Sequence, residues 1–194
     1  MHLTALDPVH RYGVIYADPP WSFRDKAAAG QRGAGFKYPL MPDNEILALP
    51  VSNLAADNSA LLMWCPSSRL DFGLEVIEAW GFRFKTIAFT WAKLTRNGHR
   101  WNFGMGHWTR NQVEHVLLGI KGKPKRADAG VRQLFEAPVR EHSRKPAGIR
   151  GQIETLFGDV PRIELFAREQ TPGWDAWGNQ SKLFDSPQQQ LFTR

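Results

Sequence analysis

Apolar residues in this chain fall in short runs separated by proline, glycine and charge. The run Gly13-Val14-Ile15-Tyr16-Ala17 has the length of one buried strand. Pro19 and Pro20 lack a backbone N–H and fix their φ angles, so the strand must stop there. A stiff elbow, Asp18-Pro19-Pro20-Trp21, then stands at its carboxyl end. Asp43 is expected to cap a short helix through about Leu49. Ser59 to Trp64 reads as a second buried strand, closed by Pro66. Ser67 or Ser68 would cap a helix whose residues Leu70, Leu74, Ile77 and Trp80 share one apolar face, with Gly81 ending it. Phe82 to Trp91 is rich in aromatic and β-branched residues and reads as a strand. Strand, helix, strand predicts parallel pairing of the two strands.

Lys93 to Arg110 reads as a long loop without an acidic residue, and Val113 to Ile120 as the next strand, with Glu114 and His115 near its start. Leu134 to Glu136 is a short strand. Ser143 is a plausible cap and Pro146 suits the first turn of a helix. Ile149, Ile153, Leu156 and Phe157 form that helix's core stripe, and Gly158 stops it. Arg162 to Phe166 is a buried strand, and Trp174 to Gln180 reads as a turn rich in glycine and amides. This pattern predicts an α/β fold: one domain over residues 1–180 and a polar tail over 181–194.

With 194 residues and 42% hydrophobic content, the chain can bury a sizeable core as a single domain. No apolar stretch approaches the roughly 20 residues that span a bilayer, and the first residues lack the apolar core of a signal peptide. One cysteine, Cys65, excludes an internal disulfide and suits a reducing, cytoplasmic setting. A net charge of +6 favours polyanionic partners, nucleic acid first, although many proteins as basic touch none. The scattered histidines and lone cysteine make a zinc site improbable, and no metal is expected. Gly-x-Ser-x-Gly and Gly-x-Gly-x-x-Gly are both absent.

The elbow carries the chemistry. Ligands of open α/β sheets bind outside the carboxyl ends of strands. There Asp18 and the carbonyl of Pro19 could accept hydrogen bonds from an aromatic amine, and Trp21 could stack on its ring. The alternative is a proline turn with a capping Asp18 and a core Trp21. The Gly-rich segment Ser22 to Lys37 would form a lid. In the loop from Lys93, the residues Arg96, Arg100 and Arg110 interleave with Trp101, Phe103 and Trp108, which suits phosphate contact and base stacking. Its alternative is a solvated loop with the aromatics tucked into the core. Lys121, Lys123, Lys125 and Arg126 are a second basic patch or only a solvated face. Asn179 and Gln180, after a glycine, can bind ribose hydroxyls, and Arg168 and Lys145 can meet a carboxylate or a base. Together these groups fit methyl transfer from S-adenosylmethionine to an adenine amine.

The same stretches resemble the DPPW-type adenine N6-methyltransferases. These are Ala17 to Trp21, Lys37-Tyr38, Leu62-Met63-Trp64, Gly106-His107-Trp108, Glu114-His115 through Gly122, His142 through Pro146, Ile163 through Arg168, and Trp177 through Gln180. They run in the family's order from Gly13 to Gln180. The resemblance implies a Rossmann-like fold of permuted order, with the catalytic elbow before the cofactor strand and helices on both faces of a mostly parallel sheet. It implies that Asp18 and Pro19 hold the amine, within a catalytic Asp18-Pro19-Pro20-Trp21. It places Tyr38, Trp64, Glu114 and Lys145 around the base and cofactor. It gives Arg168, Asn179 and Gln180 to the cofactor's ribose and Gln170 and Thr171 to its methionine part. Ala167 stands where the family often has glycine. Only 17 residues precede Asp18, so the contact that relatives make to the cofactor's adenine from further upstream would come from elsewhere. A chain of this size without added RNA-binding modules is expected to act on DNA in a bacterial or phage setting. RNA as substrate, or a relative that binds nucleic acid without catalysis, are the alternatives, and a homodimer is left open.

Overall fold

The computed structural model describes residues 11–22, 40–104, 106, 108–141 and 144–178. The expected lid beyond Ser22, together with Tyr38, His107, His142, Ser143, Asn179, Gln180 and the tail from Ser181, lies outside the described residues.

Seven strands form one sheet: β1 (Tyr12–Ala17), β2 (Ala55–Cys65), β3 (Arg83–Leu94), β4 (Val113–Lys121), β5 (Leu134–Pro138), β6 (Arg162–Leu165) and β7 (Asp175–Trp177). Their order is β5-β3-β4-β2-β1-β6-β7. Pairing is parallel between β1 and β2, β1 and β6, β3 and β5, and β6 and β7. Among the described strands only β4 runs against both of its neighbours.

Strands in the middle of such a sheet are buried on both faces, and β1 and β2 follow that rule. Ile15, Leu61 and Met63 face one side, with Leu117 and Ile163. On that side lie α1 (Asp43–Leu47) and α2 (Leu70–Ala79), through Ile46, Phe72, Val76 and Ile77, with Trp80 just beyond α2. Val14, Tyr16, Leu62 and Trp64 face the other side, where α3 (Gly148–Phe157) packs through Ile149 and Ile153. The result is the expected mixed α/β, Rossmann-like architecture, with helices on both faces.

Several expectations are corrected. The strands flanking α2 run in the same direction but do not pair, because β4 lies between them. Its Val116 and Leu117 are buried on opposite faces, which suits a central position, whereas β3 leaves Arg83 to Thr86 exposed. The buried face of α2 is Phe72, Gly73, Val76 and Ile77, and Leu74 points outward at 43% exposure. Ser67 and Ser68 form a 3₁₀ turn with Arg69, and neither caps a helix by its side chain. Pro146 likewise precedes α3, whose first residue is Gly148. Asp43 opens α1 without capping it. Its carboxylate instead accepts from Ser22 Oγ at 2.7 Å and from the Arg69 guanidinium at 2.7 Å, which ties the segment after the elbow to the start of α2. The segment expected as a turn from Trp174 contains β7, because it pairs with β6 from Ile163 to Leu165.

Candidate active site

Parallel strands bring their carboxyl ends to one edge of the sheet, and the chemistry gathers there. Ala17 is opposite Met63 on β2 and Leu165 on β6, so Asp18 emerges beside Phe166 and the last residues of β2. Because β4 is reversed, its amino end reaches the same edge: Trp91 pairs with Glu114 and Cys65 with His115. The patch Lys121 to Arg126 follows the other end of β4, where Ile120 pairs with Arg83, away from the elbow. That patch is no part of a surface around Asp18.

The elbow is held from behind. Trp21 is 4% exposed, packs edge-to-face on Phe72 with ring centroids 5.9 Å apart, and donates its indole N–H to the carbonyl of Trp64 at 3.1 Å. Its expected role as a stacking surface is therefore corrected: Trp21 anchors the elbow in the core. The Pro19 carbonyl accepts the backbone N–H of Trp21 at 2.8 Å. A carbonyl has two lone pairs, so one remains for a ligand. Met41 N–H donates to Pro20 at 3.2 Å, which pins the far side of the turn.

In front of the elbow, charges alternate. Lys145 Nζ lies 3.0 Å from Asp18 Oδ1 and 3.4 Å from Glu114 Oε2. Lys93 Nζ lies 3.1 Å from Glu114 Oε1. Burial pushes the Glu114 carboxyl up, but the ammonium groups of Lys145 and Lys93 outweigh it and hold the group below the usual carboxylate range. Trp64 is buried, and Lys145 Nζ sits 5.3 Å from its ring centroid, so the indole forms the wall behind Lys145.

A second set of charges, not singled out from the sequence, lines the same cleft. Arg150 of α3 binds Glu164 of β6 through two bonds of 2.7 and 2.9 Å, and reaches Glu169 at 2.8 Å. Arg144 pairs with Glu169. Burial pushes the Glu164 carboxyl up against the pull of Arg150. Burial also raises Glu169, but Arg144 and Arg150 win and hold it below the ordinary range. The cleft opens between Asp18, Lys145, Glu169, Arg168 and Phe166. The sequence carried one signal for this set: Glu164 is an acid inside the apolar strand Ile163-Glu164-Leu165. A charge buried on a central strand needs a buried partner.

Phe166 has φ of 60°, in the left-handed region that bulky residues avoid. The strain is held by the β6–β7 pair, in which Ala167 N–H donates to Trp177 at 3.0 Å. Gly178 crosses this turn closely. A Cβ there would lie 2.8 Å from Ala167 N and 2.9 Å from Ala167 O, both backbone atoms that cannot swing away. Gly178→Ala is expected to cost about 1–3 kcal/mol. Thermal melting checks this, and a wild-type melting temperature would show that β7 yields freely.

The other expected site residues are spread out. Gln170 is exposed and Thr171 half-buried on the loop after β6. Arg96 and Arg100 flank a shallow surface depression at the tip of a hairpin that continues β3, closed by a bridge between Leu94 and Trp101. Trp108 is 99% exposed, and Phe103 and Trp101 are also exposed, so the loop's aromatics are not tucked into the core. Cys65 is buried, and desolvation pushes its thiol up to about 12, in keeping with a core thiol.

A family model described as MT-A70 matches residues 12–180. The chain belongs to the MT-A70 family. As a member it is an adenine N6-methyltransferase that takes its methyl group from S-adenosylmethionine. It is 35% identical over 189 residues to the Type II methyltransferase M.MunI of Mycoplasma sp, covering 88% of this chain and 78% of the relative. It is 31% identical over 178 residues to the N(6)-adenosine-methyltransferase MT-A70-like of Arabidopsis thaliana, covering 90% of this chain and 24% of the relative. It is 30% identical over 174 residues to the N(6)-adenosine-methyltransferase catalytic subunit METTL3 of Homo sapiens, covering 88% of this chain and 28% of the relative. The MT-A70 cofactor carries a carboxylate, an ammonium, a sulfonium and a ribose diol. The cleft offers the cations Lys145 and Arg168 and the carboxylates Asp18 and Glu169, a donor set that fits such a zwitterion. Among the described residues no helix is long and apolar enough to cross a membrane.

Proposed function

We propose that this chain methylates the N6 amine of adenine in DNA, with Asp18 and Pro19 holding the amine. The observation that carries this reading is Asp18 itself, a carboxylate on a proline-locked turn at the carboxyl end of β1, facing the cleft beside Lys145. Adenine's exocyclic nitrogen lends its lone pair to the ring and is a weak nucleophile. Accepting its two N–H groups, at Asp18 and at the remaining lone pair of Pro19, localises electron density on nitrogen and orients it. Bound S-adenosylmethionine supplies an electrophilic methyl on sulfur. The protein's share is positioning and electrostatics. Trp21 and Phe72 keep the elbow rigid, and Lys145 orients the carboxylate. Arg168, with Asn179 and Gln180, is assigned to the cofactor's ribose, and Gln170 and Thr171 to its methionine part. In a duplex the base must first leave the stack, at a few kcal/mol, with Tyr38 assigned to its new stacking partner.

The preference for DNA is supported by likeness across 78% of M.MunI, against about a quarter of each adenosine methyltransferase. Labelled S-adenosylmethionine incubated with duplex DNA, single-stranded DNA and RNA tests it, followed by mapping of methylated adenines. Transfer to RNA alone would replace DNA by RNA. Binding without transfer to any of them would leave a nucleic-acid-binding relative.

The exposed loop is assigned to the nucleic-acid backbone. Arg96→Ala with Arg100→Ala is expected to weaken DNA binding and flatten its salt dependence by about one unit of slope for each phosphate no longer neutralised. S-adenosylmethionine affinity should hold. A salt titration with the wild-type slope would return the loop to solvent.

A further inference from the structure

Lys93, Glu114, Lys145 and Asp18 form a row of alternating charges across the edge of the sheet, with links of 3.1, 3.4 and 3.0 Å. Each side chain is only 17% or 18% exposed, so the row is weakly screened. Glu114 stands between two ammonium groups and divides its attraction between them. Lys145 therefore lies nearer to Asp18 than to Glu114. Lys93 is also built into the base of the aromatic, basic loop. Its N–H donates to Gln112 at 2.9 Å and its carbonyl accepts from Asn102 at 2.8 Å, so both arms of the connection hang on this residue. Its ammonium rests 5.2 Å from the Trp91 ring centroid.

We propose that Lys93 is a positioning residue for methyl transfer, acting through Glu114 and Lys145 on Asp18, and that it joins the loop over residues 95–112 to the reacting centre. The inference rests on the reading of Asp18 as the group that holds the amine. Without the Lys93 charge, Glu114 draws Lys145 toward itself, and Asp18 loses the partner that orients it. The loss then falls on turnover, and the affinities for DNA and cofactor change little.

The experiment uses the full chain, labelled S-adenosylmethionine and DNA free of methylated adenine. Lys93→Met is expected to lower kcat about tenfold, the usual scale of coupling between contacting charges, with both KM values within about twofold of wild type. Lys93→Arg keeps the charge and should recover most of the rate. In a Glu114→Gln background, Lys93→Met should add almost nothing, because the bridge is already neutral. A raised KM for DNA with unchanged kcat would make Lys93 a phosphate contact and overturn the proposal. So would losses from Lys93→Met and Glu114→Gln that multiply independently, or a loss that follows melting temperature and is not recovered by arginine. An active wild type with an unaffected Lys93→Met defeats this inference alone. A wild type that transfers no methyl to any nucleic acid defeats the reading of Asp18 and this inference with it.

Discussion

Asp18→Asn is expected to slow methyl transfer by at least about 10²-fold, the scale of removing one preorganised electrostatic group, while melting close to wild type. The asparagine keeps the size and one acceptor oxygen. It removes the charge that favours a partly positive amine as the methyl arrives, and it can turn its own N–H toward the substrate's. The fold should survive for a reason visible in the cleft. Lys145 retains Glu114 at 3.4 Å, so loss of the Asp18 charge strands no buried ammonium. Nor does the elbow depend on the carboxylate, since Trp21, Phe72 and the Pro20 carbonyl hold it from behind. DNA binding should persist, because phosphate contacts dominate affinity. Single-turnover transfer, melting and DNA titration on the same preparation make the check. Transfer near the wild-type rate would mean that the elbow is structural.

Arg150→Ala should have the largest effect on stability. Glu164 is buried on a central strand, and Arg150 meets it with two hydrogen bonds while also holding Glu169. Removing one partner of a buried pair leaves an uncompensated charge, at about 3–5 kcal/mol. For a domain of this size that lowers the melting temperature by on the order of 10 °C. Lysine should rescue only in part, because a point charge cannot reproduce the two-bond fork. Arg150→Met combined with Glu164→Leu should recover much of the loss, since an apolar pair of similar volume is often neutral or better. Glu169 keeps Arg144 in that double variant. Denaturant melts of the three variants decide it. A loss below about 1 kcal/mol for Arg150→Ala would show that water reaches Glu164.

The elbow is legible in the sequence because it is local. An apolar run stopped by two prolines defines β1 and the turn at its end without reference to the rest of the chain. The existence of α2 and of the strands around it is legible in the same way, but its cap and its outward Leu74 are not. The place of β4 is not, because periodicity records which faces are buried and not which strand lies alongside. Trp21 shows the same limit. An indole after an elbow reads equally as a ligand surface or as core, and the Phe72 ring that decides between them belongs to a distant helix. Lys145 and Glu114 stand out by residue type, but their meeting depends on the reversal of β4, which the local pattern does not carry. Arg150 sits beside the buried Ile149, and the sequence pattern there shows only a plain core helix.

The reversal of β4 also bears on where the chain can vary. The connection from β3 to β4 leaves and returns on the rim that carries Asp18, with its two arms fastened at Lys93. Such a segment can lengthen, shorten or change its tip without altering any strand's register. The connection after β4 opens on the opposite rim and has no such access. If this loop meets the nucleic acid, target preference becomes a property of an interchangeable crest above a constant reacting floor, and a different set of adenines can be reached by exchanging residues 95–112 alone.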